Sequence, residues 1–194
     1  MIIELGKFEV VVLPIYGFVS NSLQIKYNYP VVISQNLFGD EVRRLVGWDF
    51  KRTIRGTFFV DTMGQNEFLN LLEISGGKLV GIPLVIEPVT PVEENLQGLD
   101  YLQVEESLED YFNLLRSYYL WLYDYKRRNL EVHLIYFIDD FYNEIYLYSH
   151  IEKEFYKKTT VIYPLVVGVV QNVNIKFIKD KYCEVDLELQ EVYI

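Results

Sequence analysis

Alanine is absent from all 194 residues. It is the strongest helix former, and the 17 Tyr, 12 Phe and frequent Val and Ile that fill the chain instead favour strands. A biased coding sequence would give the same absence with no folding meaning, so both readings stand. Cysteine occurs once, as Cys183. That excludes an internal disulfide and a disulfide-stapled secreted module, but not a disulfide-free extracellular or virion setting. Positive charge is short: 18 Lys and Arg face 28 Asp and Glu, a net charge of −10. Nucleic acid is therefore disfavoured as the main partner, and so is an anionic membrane surface. Long hydrophobic runs are missing too. The longest, Val161 to Val170, is broken by Pro164 and Gly168 and falls well short of the roughly 20 residues a membrane-spanning helix needs. The opening Met1-Ile2-Ile3-Glu4-Leu5 has neither the basic nor the apolar part of a signal peptide, so a soluble protein made in a reducing cytoplasm is expected.

What is present is a 51% hydrophobic chain, ample for a folded core. The stretch from Val46 to Pro88 organises it. Trp48, Phe50, Ile54, Phe58 and Val60 alternate with Asp49, Lys51, Thr53, Arg55 and Thr57, which predicts a strand with one apolar face. The period then changes. Thr62 and Gln65 have capping-box spacing, Phe68, Leu71 and Leu72 follow at helical intervals, and Gly76-Gly77 ends the helix. Leu79 to Ile86 reads as the next strand.

Further strands are expected over Lys7–Leu13, Leu23–Asn28, Val31–Ser34, Glu131–Ile138, Ile145–Ser149, Thr160–Val170, Val173–Phe177 and Cys183–Gln190. Glu131–Ile138 is apolar on both faces and suits a central strand, and Pro164 suggests an edge or bulge. Ser107 and Asp110 imitate a second capping box before Leu108, Phe112 and Leu115, whereas Tyr118 to Tyr125 is aromatic enough for a strand to compete. The expected fold is mainly β, a β-sandwich or distorted barrel with one or two short flanking α-helices. It forms a single domain, or two lobes, 1–87 and 101–194, joined by a loop or arm at 88–100, where Pro88, Pro91 and Gly98 fit no period.

Chemistry is sparse. His133, His150 and Cys183 lack the spacing of a zinc site. Asp139-Asp140 with Glu144 could bind calcium or act as a carboxylate pair, but a solvated turn fits the residue types better. No nucleophile elbow and no phosphate-binding loop occurs. Two features suit an interaction surface. Arg43, Arg44, Lys126, Arg127 and Arg128 are basic spots in an acidic chain, able to meet an acidic partner or to lie in solvated turns. Trp121, Tyr123 and Tyr125 belong to an aromatic run that either presents a binding face or forms a buried strand.

Several stretches resemble a class of small structural proteins in the tails of tailed bacteriophages. They are Phe50-Lys51-Arg52-Thr53 through Phe58-Phe59, Asn66-Glu67-Phe68-Leu69, Gly77-Lys78-Leu79 with Ile82-Pro83-Leu84, Thr159 to Leu165, and the closing hairpin from Cys183 to Tyr193. The likeness covers roughly residues 46 to 194. It implies a non-catalytic virion component, assembled in the host cytoplasm. Such a component forms a ring or collar by homo-oligomerisation and contacts other tail proteins, with no cofactor and no catalytic residues to carry over. The alternatives are a carbohydrate- or ligand-binding β-module, suggested by the Tyr and Trp run, and an enzyme of unknown type using Asp139 or Glu144.

Overall fold

A computed structural model describes residues 2–5, 7–13, 22–28, 31–35, 41–45, 51–61, 70–71, 73, 76, 78–111, 114–178 and 182–192. The fold is mainly β. In chain order the strands are β1 (Ile2–Leu5), β2 (Phe8–Val12), β3 (Gln24–Asn28), β4 (Val31–Gln35), β5 (Glu41–Leu45), β6 (Lys51–Asp61), β7 (Leu79–Pro83), β8 (Tyr101–Gln103), β9 (Tyr119–Asp124), β10 (Asn129–Asp139), β11 (Glu144–Leu147), β12 (Thr160–Ile178) and β13 (Tyr182–Glu191). They divide into two compact units.

The first unit comprises residues 1–5, 12–15 and 81–166. Its ladder runs β12–β9–β10–β11–β8, antiparallel at every step. Leu120, Leu122, Ile135, Ile145 and Ile162 form one apolar layer of the core. The rest of this core cluster comes from chain outside those strands: Val89 and Leu96, then Leu108 and Leu114, then Ile151 and Phe155. Segment 88–100, expected as a loop or arm, is therefore anchored along its length. Val89 bridges to Ile162, Pro91 to Val104 and Asn95 to Tyr156. The Leu96 and Gly98 amides donate to the Phe155 and Ile151 carbonyls. Burying Val89 and Leu96 obliges the neighbouring backbone to find such partners.

The second unit comprises residues 6–11, 16–80 and 167–194. Its ladder runs β12–β13–β6–β3, again antiparallel, and β4 pairs with β5 separately. Ile54, Phe58, Cys183, Val185, Leu187 and Leu189 are buried on one face. On the other, Thr57 meets Asp186 and Arg55 meets Glu188. A bulge between Val170 and Asn172 shifts the phase of β12, so that Val173, Ile175 and Phe177 fall opposite Leu187, Val185 and Cys183 on the apolar face.

The expected lobes differ from these units, because residues 167–194 join the earlier part of the chain. Thr160–Val170 and Val173–Phe177 merge into one 19-residue strand bulged near residue 171, while Pro164 stays in register opposite Leu120. The helix expected after Ser107 is replaced by two 3-10 turns, Leu108–Asp110 and Leu114–Arg116. Ser107 makes no side-chain cap; the first amides are satisfied from elsewhere, Leu108 by Asn143 Oδ1 at 3.0 Å and Leu114 by Glu87 Oε2 at 2.8 Å. Of the helix expected before Gly76, residues 70, 71 and 73 are helical and the Gly76 amide donates to Glu73 O, but its cap at Thr62 and Gln65 lies outside the described residues. β10 is central as expected, yet only one of its faces is buried: Leu134 and Tyr136 are exposed.

Candidate interaction surfaces

The structure separates the residues expected to form one surface. Tyr119 to Leu122 and Asp124 are buried in β9, and Trp121 is only 2% exposed. The Trp121 ring stacks between Tyr123 at 5.5 Å and Tyr163 at 6.0 Å. The aromatic run is thus largely a buried strand. Tyr125, at its end, is exposed but spends its hydroxyl on Lys158 O at 2.9 Å.

Lys126, Arg127 and Arg128 form an exposed turn built on the buried Asp124. Asp124 Oδ1 accepts the Lys126 and Arg127 amides at 2.9 and 2.8 Å, and Oδ2 accepts Thr159 Oγ1 at 2.6 Å. Burial pushes this carboxyl up, but the Thr159 hydroxyl, the two amides and the Arg127 charge together hold it below the usual carboxylate range. Arg127 lies over the Tyr156 ring at 4.2 Å and Arg128 takes a positive φ of 56°. The spacing of charge reflects turn chemistry. Arg43 and Arg44 sit in β5 opposite Ile33 and Val32, and their side chains lie outside the described residues.

Sequence reasoning missed a Ser-His-Glu trio. His133, buried in β10, has Nε2 at 2.8 Å from Glu131 Oε2 and Nδ1 at 3.2 Å from Ser149 Oγ. Glu131 also accepts the Lys153 amide at 2.7 Å and the Glu152 amide at 3.2 Å, so it fastens residues 149–153 to β10. The other candidates are dispersed. His150 is exposed beside Asp100, and Cys183 is buried in the second unit, where desolvation raises its thiol pKa and suppresses the reactive thiolate. Among the described residues no three His, Cys, Asp or Glu are grouped to hold a metal ion.

Two surfaces stand out instead. The first surrounds the β10–β11 turn. Asp139 Oδ1 accepts the Phe141 and Tyr142 amides at 3.1 and 3.0 Å, and Asn143 adopts a φ of 56° while its side chain caps Leu108. This bonded turn presents Phe141 at 78% and Tyr142 at 63% exposure, ring edge against ring face at 4.9 Å. A bulge between Ile135 and Phe137 exposes Tyr136 and Phe137 beside it, and Tyr136 meets the exposed Tyr148 at 5.1 Å. Tyr146 is hydrogen-bonded to Glu144 at 2.5 Å, which, with burial and nearby negative charge, pushes its phenol pKa up. Asp139 and Glu144 lie opposite each other across the β10–β11 ladder, and their hydrogen bonds support this surface. The aromatic residues follow no strict alternation, so only the bulge and the turn reveal which of them face solvent.

The second surface is the far edge of β12. Every residue from Gln171 to Ile178 is exposed, and among the described residues only β13 pairs with this stretch. Val173 and Ile175 are about one-third exposed and Phe177 is 70% exposed, while their cross-strand partners Leu187, Val185 and Cys183 are buried. The opposite face carries a shallow polar depression of about 360 Å³ between Gln24, Gly56, Asn174 and Asp186. Lys176 Nζ lies 3.1 Å from Glu184 and 3.5 Å from Asp186. No protein-family model matches the chain, and no curated protein matches it.

Proposed function

We propose that this protein is a non-catalytic structural subunit of a larger assembly, a bacteriophage tail or similar particle, working through contacts with copies of itself and with other virion proteins. The observation that carries the reading is the aromatic surface at the β10–β11 turn. Large exposed apolar groups cost solubility and mark interaction sites when they cluster, and Tyr and Phe contribute strongly to protein contacts. A turn fixed by the Asp139 and Asn143 side chains presents them with little ordering cost on binding. The virion setting rests on the resemblance of residues 46 to 194 to tail structural proteins. Sedimentation over a wide concentration range, together with capture of co-expressed particle proteins, tests the proposal. Association that weakens in Phe141→Ser/Tyr142→Ser supports it. A strict monomer that captures nothing overturns it.

A second reading, a carbohydrate-binding β-module, draws on the Tyr136–Tyr148 pair, since exposed aromatic rings also stack on sugars. A glycan array probed with the isolated protein separates the two, because sugar binding by a monomer requires no assembly.

A further inference from the structure

We infer that residues 172–178 of β12 pair antiparallel with the same residues of a second copy of this chain, across a two-fold axis at Ile175. The inference rests on the assembly reading and names one of its contacts. An edge strand with free backbone groups is a template for another strand, and proteins that avoid such pairing shorten, bulge or charge the edge. Here the bulge lies before the open stretch, between Val170 and Asn172. Lys176 is the stretch's one charge, and its ammonium is drawn onto Glu184 and Asp186 of β13. The edge is therefore poorly guarded. The apolar face buried along β13 also continues onto β12, where it meets solvent at Val173, Ile175 and Phe177.

The stretch is its own complement. In an isologous antiparallel pair centred on Ile175, residues whose numbers sum to 350 face one another. Ile175 then meets Ile175 of the second copy, and Val173 meets Phe177, all on the apolar face. On the other face Asn174 meets Lys176 and, at the ends, Asn172 meets Ile178, so no like charges lie directly opposed. A one-residue slip would set Ile175 against Asn174 or Lys176. A heterologous partner would need to supply this pattern independently; a second copy already carries it. The pairing closes at two chains.

Directly opposed residues of an antiparallel ladder have Cα atoms about 4.5 or 5.5 Å apart, within disulfide range. Ile175→Cys should therefore form a disulfide-linked dimer under mild oxidation, as should an equimolar mixture of Val173→Cys and Phe177→Cys chains. Asn174→Cys alone should link far less, and Cys183 is buried and should not compete. In parallel, Ile175→Asp sets two carboxylates against each other on the axis and should weaken self-association at least tenfold by sedimentation, with an unchanged circular dichroism spectrum. If the wild-type chain associates but Ile175→Asp does not weaken it, or Cys at 174 links as well as Cys at 175, the edge pairing is wrong and the assembly reading survives. A wild-type chain that stays monomeric overturns the edge pairing. The assembly reading then falls only if capture of other particle proteins fails as well.

Discussion

Arg52 and Glu191 form an ion pair on the buried face of the second unit, with side chains 1% and 4% exposed. The Arg52 amide donates to Glu191 Oε2 at 2.9 Å, and its guanidinium reaches both carboxylate oxygens, with Nε at 3.1 and 3.0 Å. Two like-phased residues of neighbouring strands thus replace an apolar pair by a matched charge pair. Removing either partner strips a matched opposite charge from the buried group that remains, so Arg52→Met or Glu191→Leu should each cost about 3–5 kcal/mol. The double replacement should recover much of that loss, because both charges are gone. Urea unfolding of the four proteins checks it; additive losses would contradict the pairing.

Gly168 faces Glu191 in the β12–β13 ladder with no room for a side chain. A Cβ there would collide with the Gln190 carbonyl oxygen and lie 2.6 Å from Leu189 Cδ2. Backbone cannot yield as a side-chain tip can. Gly168→Ala should therefore destabilise by several kcal/mol, about the upper range for point substitutions. Gly81→Ala, whose Cβ would have the Leu165 and Val12 side chains as its nearest neighbours at 3.2 and 3.3 Å, should cost much less. Paired thermal melts compare the two.

The strands of the second unit were legible because alternation is a local signal: Ile54 and Phe58, or Val185 and Leu187, mark one face without reference to the rest of the fold. Arg52 was not legible as buried, because its partner lies 139 residues away. The first unit was harder to read. Part of its core comes from Val89, Leu96, Ile151 and Phe155 in irregular chain, where no period exists to be detected. The short strands β1 and β8 were missed for the same reason. The aromatic run at Tyr118 to Tyr125 offered two outcomes, and burial chose the strand. The exposed aromatics instead follow a bulge and an Asp-bonded turn, neither of which has a sequence period.

Asp124 links pH to stability. Its folded carboxyl titrates below the ordinary value, since the bonds from Thr159, Arg127 and Lys126 outweigh burial. A depressed folded pKa favours the folded state fully above the unfolded value, about pH 4, and that contribution is lost as pH falls through the lower folded value. The stability gap between wild type and Asp124→Asn should thus be constant near neutrality and shrink below about pH 4. Urea midpoints for both proteins across pH 2 to 7 read the gap. A gap that widened on acidification would mean that the carboxyl is bound protonated.

Ser149, His133 and Glu131 have the residue types of a hydrolytic trio, and Glu131 also fastens residues 149–153 to β10. A general base must be held by its carboxylate so that it can take the serine proton. Here that carboxylate also accepts the Lys153 and Glu152 amides, so it anchors backbone as well as the imidazole. If the trio fastens residues 149–153 to β10, Glu131→Gln should destabilise by about 1–3 kcal/mol through lost bonds to charged and buried groups. Ser149→Ala, at an exposed position, should stay within about 0.5 kcal/mol of wild type. Hydrolysis of an activated ester should run at the buffer rate in all three proteins. A wild-type turnover abolished by Ser149→Ala would reassign the trio to catalysis and overturn the non-catalytic reading.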